Sequence, residues 1–391
     1  MQRSELPLFW TGFSATFSGV GLSRFAYTAL MPQLVLAGWF TGEQVAYLGA
    51  ANLLGYLIGA LLAAHCAQRW GAVPVMRASW WVVTLSLLAC SVPQEAFLFG
   101  TWRLLSGIAG AMLMVLGPSV AMSATTAERR TALGPLMFCG IGAGVLLSAT
   151  LVPVLAQWNL TWAWWGLAVL AAVFGAWGLH HARRLPPPLA SSPATTFEPL
   201  PTSALWTASV VLVFLAYMAD AFGFVPHTVF WADYLARELE LGPLYGAWQW
   251  ACFGLGALAG PLLAARCATR WGWWHTTTGA YALKAVAIAM PLYSSAPLAH
   301  AISGFMVGAL SPGMAAIISG YLMQLVGSAR HKHMWGYATA AFALLQALSG
   351  YAMAALYVAS GSYRTLFVWA AASLLLGTLC IWASRPRTAA M

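Results

Sequence analysis

The sequence predicts an all-α integral membrane fold: twelve transmembrane helices arranged as two six-helix, pseudo-symmetric halves. Three observations predict it. Hydrophobic residues make up 61% of the 391 residues and charged residues 7%, whereas a soluble domain carries about 25% charged residues to cover its surface. The apolar residues fall into twelve runs, each near the ~20 residues that a helix needs to cross the hydrocarbon. Finally, one thirteen-residue phrase occurs twice. Gly59 to Gly71 reads GALLAAHCAQRWG and Gly260 to Gly272 reads GPLLAARCATRWG, identical at ten positions and offset by 201 residues. A period of half the chain points to a duplicated half and not to a solenoid. A membrane barrel would show alternating ~10-residue strands instead.

The runs lie at approximately 6–36, 44–65, 72–92, 97–122, 131–155 and 160–180, then 204–232, 242–265, 273–292, 296–325, 333–358 and 363–383. The first is too long for a signal-peptide core and is followed by no small-residue cleavage site, so it reads as a retained helix. The first, seventh and tenth are long, which suggests tilt or a broken helix. Pro32 and Pro226 sit where a proline bends or ends the first and seventh. Each copy of the repeated phrase closes its run on Arg-Trp-Gly, where the chain meets water. Between the sixth and seventh runs, residues 181–203 hold six prolines and no apolar periodicity, which is the composition of an extended linker. The expected division is therefore 1–184, a linker at 185–203, and 204–391. Two shorter matches extend the repeat: Arg103-Leu-Leu-Ser-Gly with His300-Ala-Ile-Ser-Gly at an offset of 197, and Trp10-Thr11 with Trp206-Thr207 at 196.

The net charge of +9 is no nucleic-acid signal, because the basic residues sit in the short breaks between runs. Thirteen of the eighteen Lys and Arg residues fall on one side, including Arg3, Arg69, Arg129, Arg183, Arg270 and Arg385; Arg237 and Arg364 fall on the other, with Glu43, Glu95, Asp233, Glu238 and Glu240. That bias places both termini in the cytoplasm and the chain in the inner membrane. An even number of spans requires the termini to share a side, so the two readings agree. The six cysteines fall in or near apolar runs without metal-ligand spacing, and neither a metal nor another cofactor is expected.

The ends of the repeated phrase, Arg69-Trp70-Gly71 and Arg270-Trp271-Gly272, resemble the signature that the major facilitator superfamily carries after its second and eighth spans. Arg103-Leu-Leu-Ser-Gly-Ile-Ala-Gly resembles its fourth-span motif. The stretches Gly21-Leu-Ser-Arg-Phe-Ala-Tyr-Thr-Ala-Leu-Met-Pro32 and Asn52-Leu-Leu-Gly-Tyr-Leu-Ile-Gly59 are similar to the YbfB/YjiJ-type branch. The chain departs from the signature at Gln68 and Thr269, where an acid is expected, and at Ala72-Val73 and Trp273-Trp274, where a basic pair is expected. Glu128 is then the nearest acid for a gate built on Arg69, Gly71, Arg270 and Gly272. The resemblance implies the major facilitator fold, a central cavity lined by spans one, four, seven and ten, and outer support from spans three, six, nine and twelve.

Four ionisable residues lie deep inside runs: Arg24, Arg103, Asp220 and Lys284. Each costs about 2.5–3.5 kcal/mol on insertion scales and asks for a reason. Asp220 falls at the offset of 196 from Arg24, so the duplication would place a base and an acid at matching depths, facing each other or a shared ligand. Arg24 would hold an anionic group and Asp220 would take up and release a proton; the alternative is a fixed ion pair that locks the halves. Arg103 either serves the substrate or hydrogen-bonds carbonyls of the first span. His300 is its partner in the repeat, and His227 lies two turns beyond Asp220; each is a titratable or merely hydrogen-bonded histidine. Lys284, on an outer support span, reads as a residue that snorkels or packs against a polar neighbour and not as a ligand residue. Tyr27, Tyr56, Tyr217, Trp248 and Trp250 lie inside spans, where some face the cavity, and Asn52 and Gln346 are in-span polar groups that need partners.

The function these features predict is secondary active transport of a small anionic or zwitterionic solute, coupled to protons, by a chain that works as a monomer. No GxxxxGK[ST] loop exists to use nucleotide. A multidrug exporter of amphiphiles and a non-transporting receptor or scaffold are the alternatives. An intramembrane enzyme is disfavoured, because one deep acid cannot make an aspartyl pair and neither HExxH nor GxSxG occurs.

Overall fold

The computed structural model describes residues 5–186 and 206–385, and among these every regular element is a helix. The first span, 6–36, consists of Leu6–Thr16, a π-helical Phe17–Phe25 and Ala26–Leu36. Spans two to six are Gly42–Trp70, Ala72–Ala89, Ala96–Ser123, Ala127–Ala156 and Leu160–Ala182. The seventh, Ala208–Glu238, is also interrupted by π-helical turns, at Pro226–Phe230 and Tyr234–Glu238. Spans eight to twelve are Pro243–Trp271, Trp273–Tyr293, Pro297–Val326, Ser328–Ser360 and Tyr363–Ala383. Ten of the twelve are long and apolar enough to cross a membrane, the seventh counted through its π-helical turns. The other two are the divided first span and the ninth, which carries His275, three threonines and Lys284. Most of the proline-rich stretch expected at 185–203 lies outside the described residues.

The repeated phrase folds the same way twice. Gly71 and Gly272 end their helices at φ 85° and 78°, a backbone region that glycine enters without penalty. Each N–H caps the carbonyl four residues back, Ala67 and Ala268. Upstream, the small residues let span two press on span four and span eight on span ten. A Cβ on Gly55 or Gly59 would lie 2.1 or 2.2 Å from the carbonyl oxygens of Leu104 and Ile108. On Gly256 or Gly260 it would lie 2.0 or 1.9 Å from those of Phe305 and Ala309. All four contacts shift by the same 201 residues, so the two halves share one packing scheme.

That register corrects two sequence matches. At 201, the equivalent of Arg103 is Gly304, and His300 lies one turn further from the end that carries the termini. Span one starts at 6 and span seven at 208, an offset of 202 and not 196. Asp220 is thus six residues nearer the terminal end than Arg24 in its span, about 9 Å at 1.5 Å per residue. The acid and the base are not at matching depths.

The halves meet along three lines. Spans five and eight cross at Gly142 and Gly254, where a Cβ would lie 2.5 Å from Leu258 N and 2.8 Å from Leu146 N. Spans two and eleven touch at Gly350, packed on Leu53 and Ala50, and at Tyr47 and Tyr351. Spans one and seven join where Thr28 Oγ1 donates to the Thr228 carbonyl at 2.5 Å. These contacts lie in the middle of the bundle or toward its far end, away from the termini. The cleft between the halves is closed at the far end.

Candidate functional site

Arg24 sits in the π-helical turn of span one, midway along the bundle and only 8% exposed. Its Nη1 donates to Gln346 Oε1 of span eleven at 3.1 Å, a direct bond between the halves. The rings of Phe25, Tyr56 and Phe224 surround the guanidinium at 5.0, 5.6 and 5.4 Å, within cation–π range. Nε and Nη2 have no partner. Those two N–H groups point the same way from a planar guanidinium, and such a pair matches the two oxygens of a carboxylate. No ion pair among the described residues includes Arg24.

Asp220 does not face Arg24. Its Oδ1 accepts from Lys284 Nζ at 2.6 Å, and the two side chains are 2% and 0% exposed. Lys284 does not snorkel: it packs against a polar neighbour, Asp220, as half of a buried ion pair. A desolvated ammonium needs a counter-charge, and Asp220 is the acid within reach. Lys284 Nζ also lies 5.4 Å from the centre of the Phe224 ring. Phe224, one turn beyond Asp220, thus has two cations, from spans one and nine, each 5.4 Å from its ring centre. Tyr217 closes the group on the terminal side, packed on Phe342 at 4.5 Å and Trp335 at 5.7 Å.

Arg103, Asn52 and Tyr27 form a separate polar knot inside the first half. Arg103 Nη1 donates to the Ser23 carbonyl at 2.8 Å, and its guanidinium lies 4.2 Å from the Tyr27 ring centre. Asn52 Nδ2 donates to the Arg103 carbonyl at 3.0 Å and to Ser106 Oγ at 2.9 Å. Tyr27 donates to the Val45 carbonyl at 2.8 Å. A π-helical turn leaves carbonyls without their usual i+4 donors, and the knot supplies the one at Ser23. Its chemistry is the bracing of span one beside Arg24. Trp250 does the same from span eight, donating to the Phe25 carbonyl at 3.2 Å. Trp248 does not line the cleft: it is 62% exposed on the bundle surface. Two residues apart on a helix are 200° apart, so Trp250 and Trp248 cannot both face inward.

In the second half, His227 Nε2 is 2.8 Å from Ser303 Oγ, and His300 Nδ1 is 2.8 Å from Tyr245 Oη. At the terminal end, Arg69, Gly71, Arg270 and Gly272 are exposed. Neither arginine has a partner among the described residues, and the side chain of Glu128 lies outside them. The ion pair found at that end is Arg129 with Glu5.

The far end carries a clamp that the sequence did not single out. Asp233, fully buried, accepts from Arg237 Nε at 2.6 Å and from the Tyr363 hydroxyl. Tyr363 stacks on Tyr357 with centroids 4.1 Å apart. A Cβ on Gly42 of span two would lie 3.1 Å from Tyr357 Oη and 3.3 Å from the Arg237 guanidinium. The clamp therefore presses directly on the opposite half. Arg237→Gln is expected to loosen this end. In a background lacking the six free cysteines, a cysteine at Thr28 should react about tenfold faster with an impermeant maleimide, the effect of ~1.4 kcal/mol on closure. Unchanged reactivity would mean that the clamp stabilises its own half alone.

The family model described as "Uncharacterised MFS-type transporter YbfB" matches residues 16–382. No curated protein matches the chain. Among solved structures, a D-xylose-proton symporter superposes with a TM-score of 0.75, covering 98% of each chain at 16% identity; at that identity the likeness is one of fold.

Proposed function

The chain belongs to the YbfB-type MFS transporters, a multi-pass membrane transport protein and not an enzyme, and from that premise we propose that it carries a small organic carboxylate together with a proton. The observation that carries this reading is the buried Arg24 guanidinium, with its Nε and Nη2 unpartnered and the Phe224 ring shared with Lys284 of the Asp220–Lys284 pair. Residues of both halves reach Arg24, so a ligand held there senses their relative rocking.

Charge explains why the two cargoes travel together. Empty, Arg24, Lys284 and an ionised Asp220 leave one surplus positive charge. A carboxylate on Arg24 plus a proton on Asp220 leave the same surplus. Either cargo alone changes the charge buried in the bundle, which is costly in low dielectric. A proton on Asp220 also removes the counter-charge of Lys284, and a carboxylate on Arg24 returns one negative charge to the buried group. The name of the structural neighbour, a proton symporter, supports coupling of this kind.

The excess of basic residues at the terminal end supports an inner-membrane protein with both termini in the cytoplasm. One pair of halves contains the whole site, which supports a monomer. The test is uptake into proteoliposomes of monocarboxylates and of a lipophilic cation, side by side, under an imposed pH gradient. Accumulation of a carboxylate supports the reading. Accumulation of the cation alone would favour an amphiphile exporter, and ligand binding without any flux would favour a receptor.

A further inference from the structure

The geometry points to a proton route inside the second half, running from its far end to Asp220 through Tyr245, His300, Ser303 and His227, apart from the cleft that the substrate uses. It rests on the reading of Asp220 as the coupling acid.

Two hydrogen-bonded pairs stand in series between the far end and Asp220. Tyr245, near the start of span eight, is partly exposed and bonds His300 Nδ1 at 2.8 Å. His300 and Ser303 are three residues apart on span ten and so share a face. Ser303 Oγ meets His227 Nε2 at 2.8 Å. His227 lies two turns from Asp220 on span seven, and Trp231 stacks on it at 4.4 Å, with His300 edge-on at 5.8 Å. Ser303 donates to the Ala287 carbonyl at 2.6 Å, one turn from Lys284 on span nine.

Proton positions follow from these bonds. Ser303 has one hydroxyl proton, and the Ala287 carbonyl takes it. His227 must then donate through Nε2, which leaves its Nδ1 an unprotonated acceptor. That Nδ1 is buried without a partner, as are His300 Nε2, Trp231 Nε1 and Gln249 Oε1. Buried polar atoms in folded proteins are nearly all satisfied, and these four flank the two hydrogen-bonded pairs, where a polar passenger would satisfy them. In this tautomer a proton taken up at His227 Nδ1 leaves through Nε2 to Ser303. Delivery inward uses the other tautomer, with the Ser303 hydroxyl turned from the Ala287 carbonyl to donate to Nε2 and the His227 proton released from Nδ1. In either direction no net charge remains on the imidazole.

The groups facing the relay decide where the proton stops. His227 faces Lys284 from span nine, His300 and Ser303 from span ten, and the Phe367 ring from span twelve at 5.3 Å. A second cation beside Lys284 is disfavoured, so His227 passes the proton on. Asp220 faces Lys284 and Tyr281 from span nine and Tyr217 on its own span, and it is the one acid in the group. Tyr217 and its aromatic stack separate Asp220 from the terminal side, which prevents a short circuit while the cleft opens there.

The experiment uses protons as the probe. In lipid nanodiscs, the infrared carboxyl band that Asp220→Asn removes reports protonation of Asp220, and a caged-proton flash starts the reaction. Absence of such a band in the unmodified protein would remove the coupling reading itself. With the band present, His227→Phe and, separately, His300→Phe should slow its appearance about 100-fold, the scale on which a positioned donor accelerates proton transfer. Its final amplitude should be kept, and added azide, a small proton carrier, should restore the rate. If either variant folds, shows the full band and keeps the original rate, the route is overturned while the role of Asp220 stands.

Discussion

Asp220→Asn is expected to abolish accumulation of carboxylate driven by a pH gradient while leaving carboxylate counterflow in place. Asparagine keeps the size and can hydrogen-bond but cannot exchange a proton. Proton-driven uptake should fall to the background of empty liposomes, and exchange of labelled for unlabelled carboxylate should persist. Gradient-driven uptake at the original level would sink the assignment. The substitution also strands Lys284, which is 0% exposed. Removing one partner of a buried pair costs about 3–5 kcal/mol, so this variant should melt well below the parent. Asp220→Asn combined with Lys284→Met removes both charges and should recover part of that stability, because no unpaired charge is then left buried. Comparing the two melting temperatures separates loss of the proton site from loss of the fold.

Arg24→Gln should remove carboxylate binding with little change elsewhere. Two charge-assisted hydrogen bonds to a carboxylate are lost, each worth about 1.5–3 kcal/mol, so affinity should drop by at least ~100-fold. Arg24→Lys should not restore it, because an ammonium offers a point charge where the guanidinium offers two parallel N–H groups. The measurement is the rise in apparent melting temperature with benzoate and a panel of aliphatic monocarboxylates, which follows ligand occupancy by mass action. Any carboxylate that stabilises the parent and the glutamine variant over the same concentration range would place the binding site elsewhere. The aromatic rings of Phe25, Tyr56 and Phe224 around the guanidinium lead us to expect that carboxylates with a flat apolar body bind best.

Much of this was legible from the chain alone. The twelve spans stand close to where the apolar runs place them, because the need to satisfy every backbone group in hydrocarbon makes each run a helix whatever its neighbours do. The duplicated phrase foretold two copies of one packing scheme, since its glycines dictate a close helix approach and its closing Gly71 and Gly272 dictate a left-handed turn. Arg24 and Asp220 stood out because ionisable groups are rare at that depth.

Partners were not legible. A two-residue match puts Arg24 and Asp220 at one depth, facing each other or a shared ligand, and cannot name Asp220 as the polar neighbour of Lys284. The sequence match pairs His300 with Arg103 one turn out of register, and run membership alone does not separate Trp248 from Trp250. Each of these depends on rotation about a helix axis, at 100° per residue, and on the π-helical turns at 17–25, 226–230 and 234–238. Those turns re-aim every residue that follows them.

What the sequence determined by itself was the membrane class, the span count and the duplication, because hydropathy and glycine spacing act locally and survive any later arrangement. What only the tertiary structure decided was which charge answers which: Lys284 to Asp220, Gln346 to Arg24, the Ser23 carbonyl to Arg103. A buried charge takes the partner whose direction and depth match its own, and both are set by the packing of helices far apart in the chain.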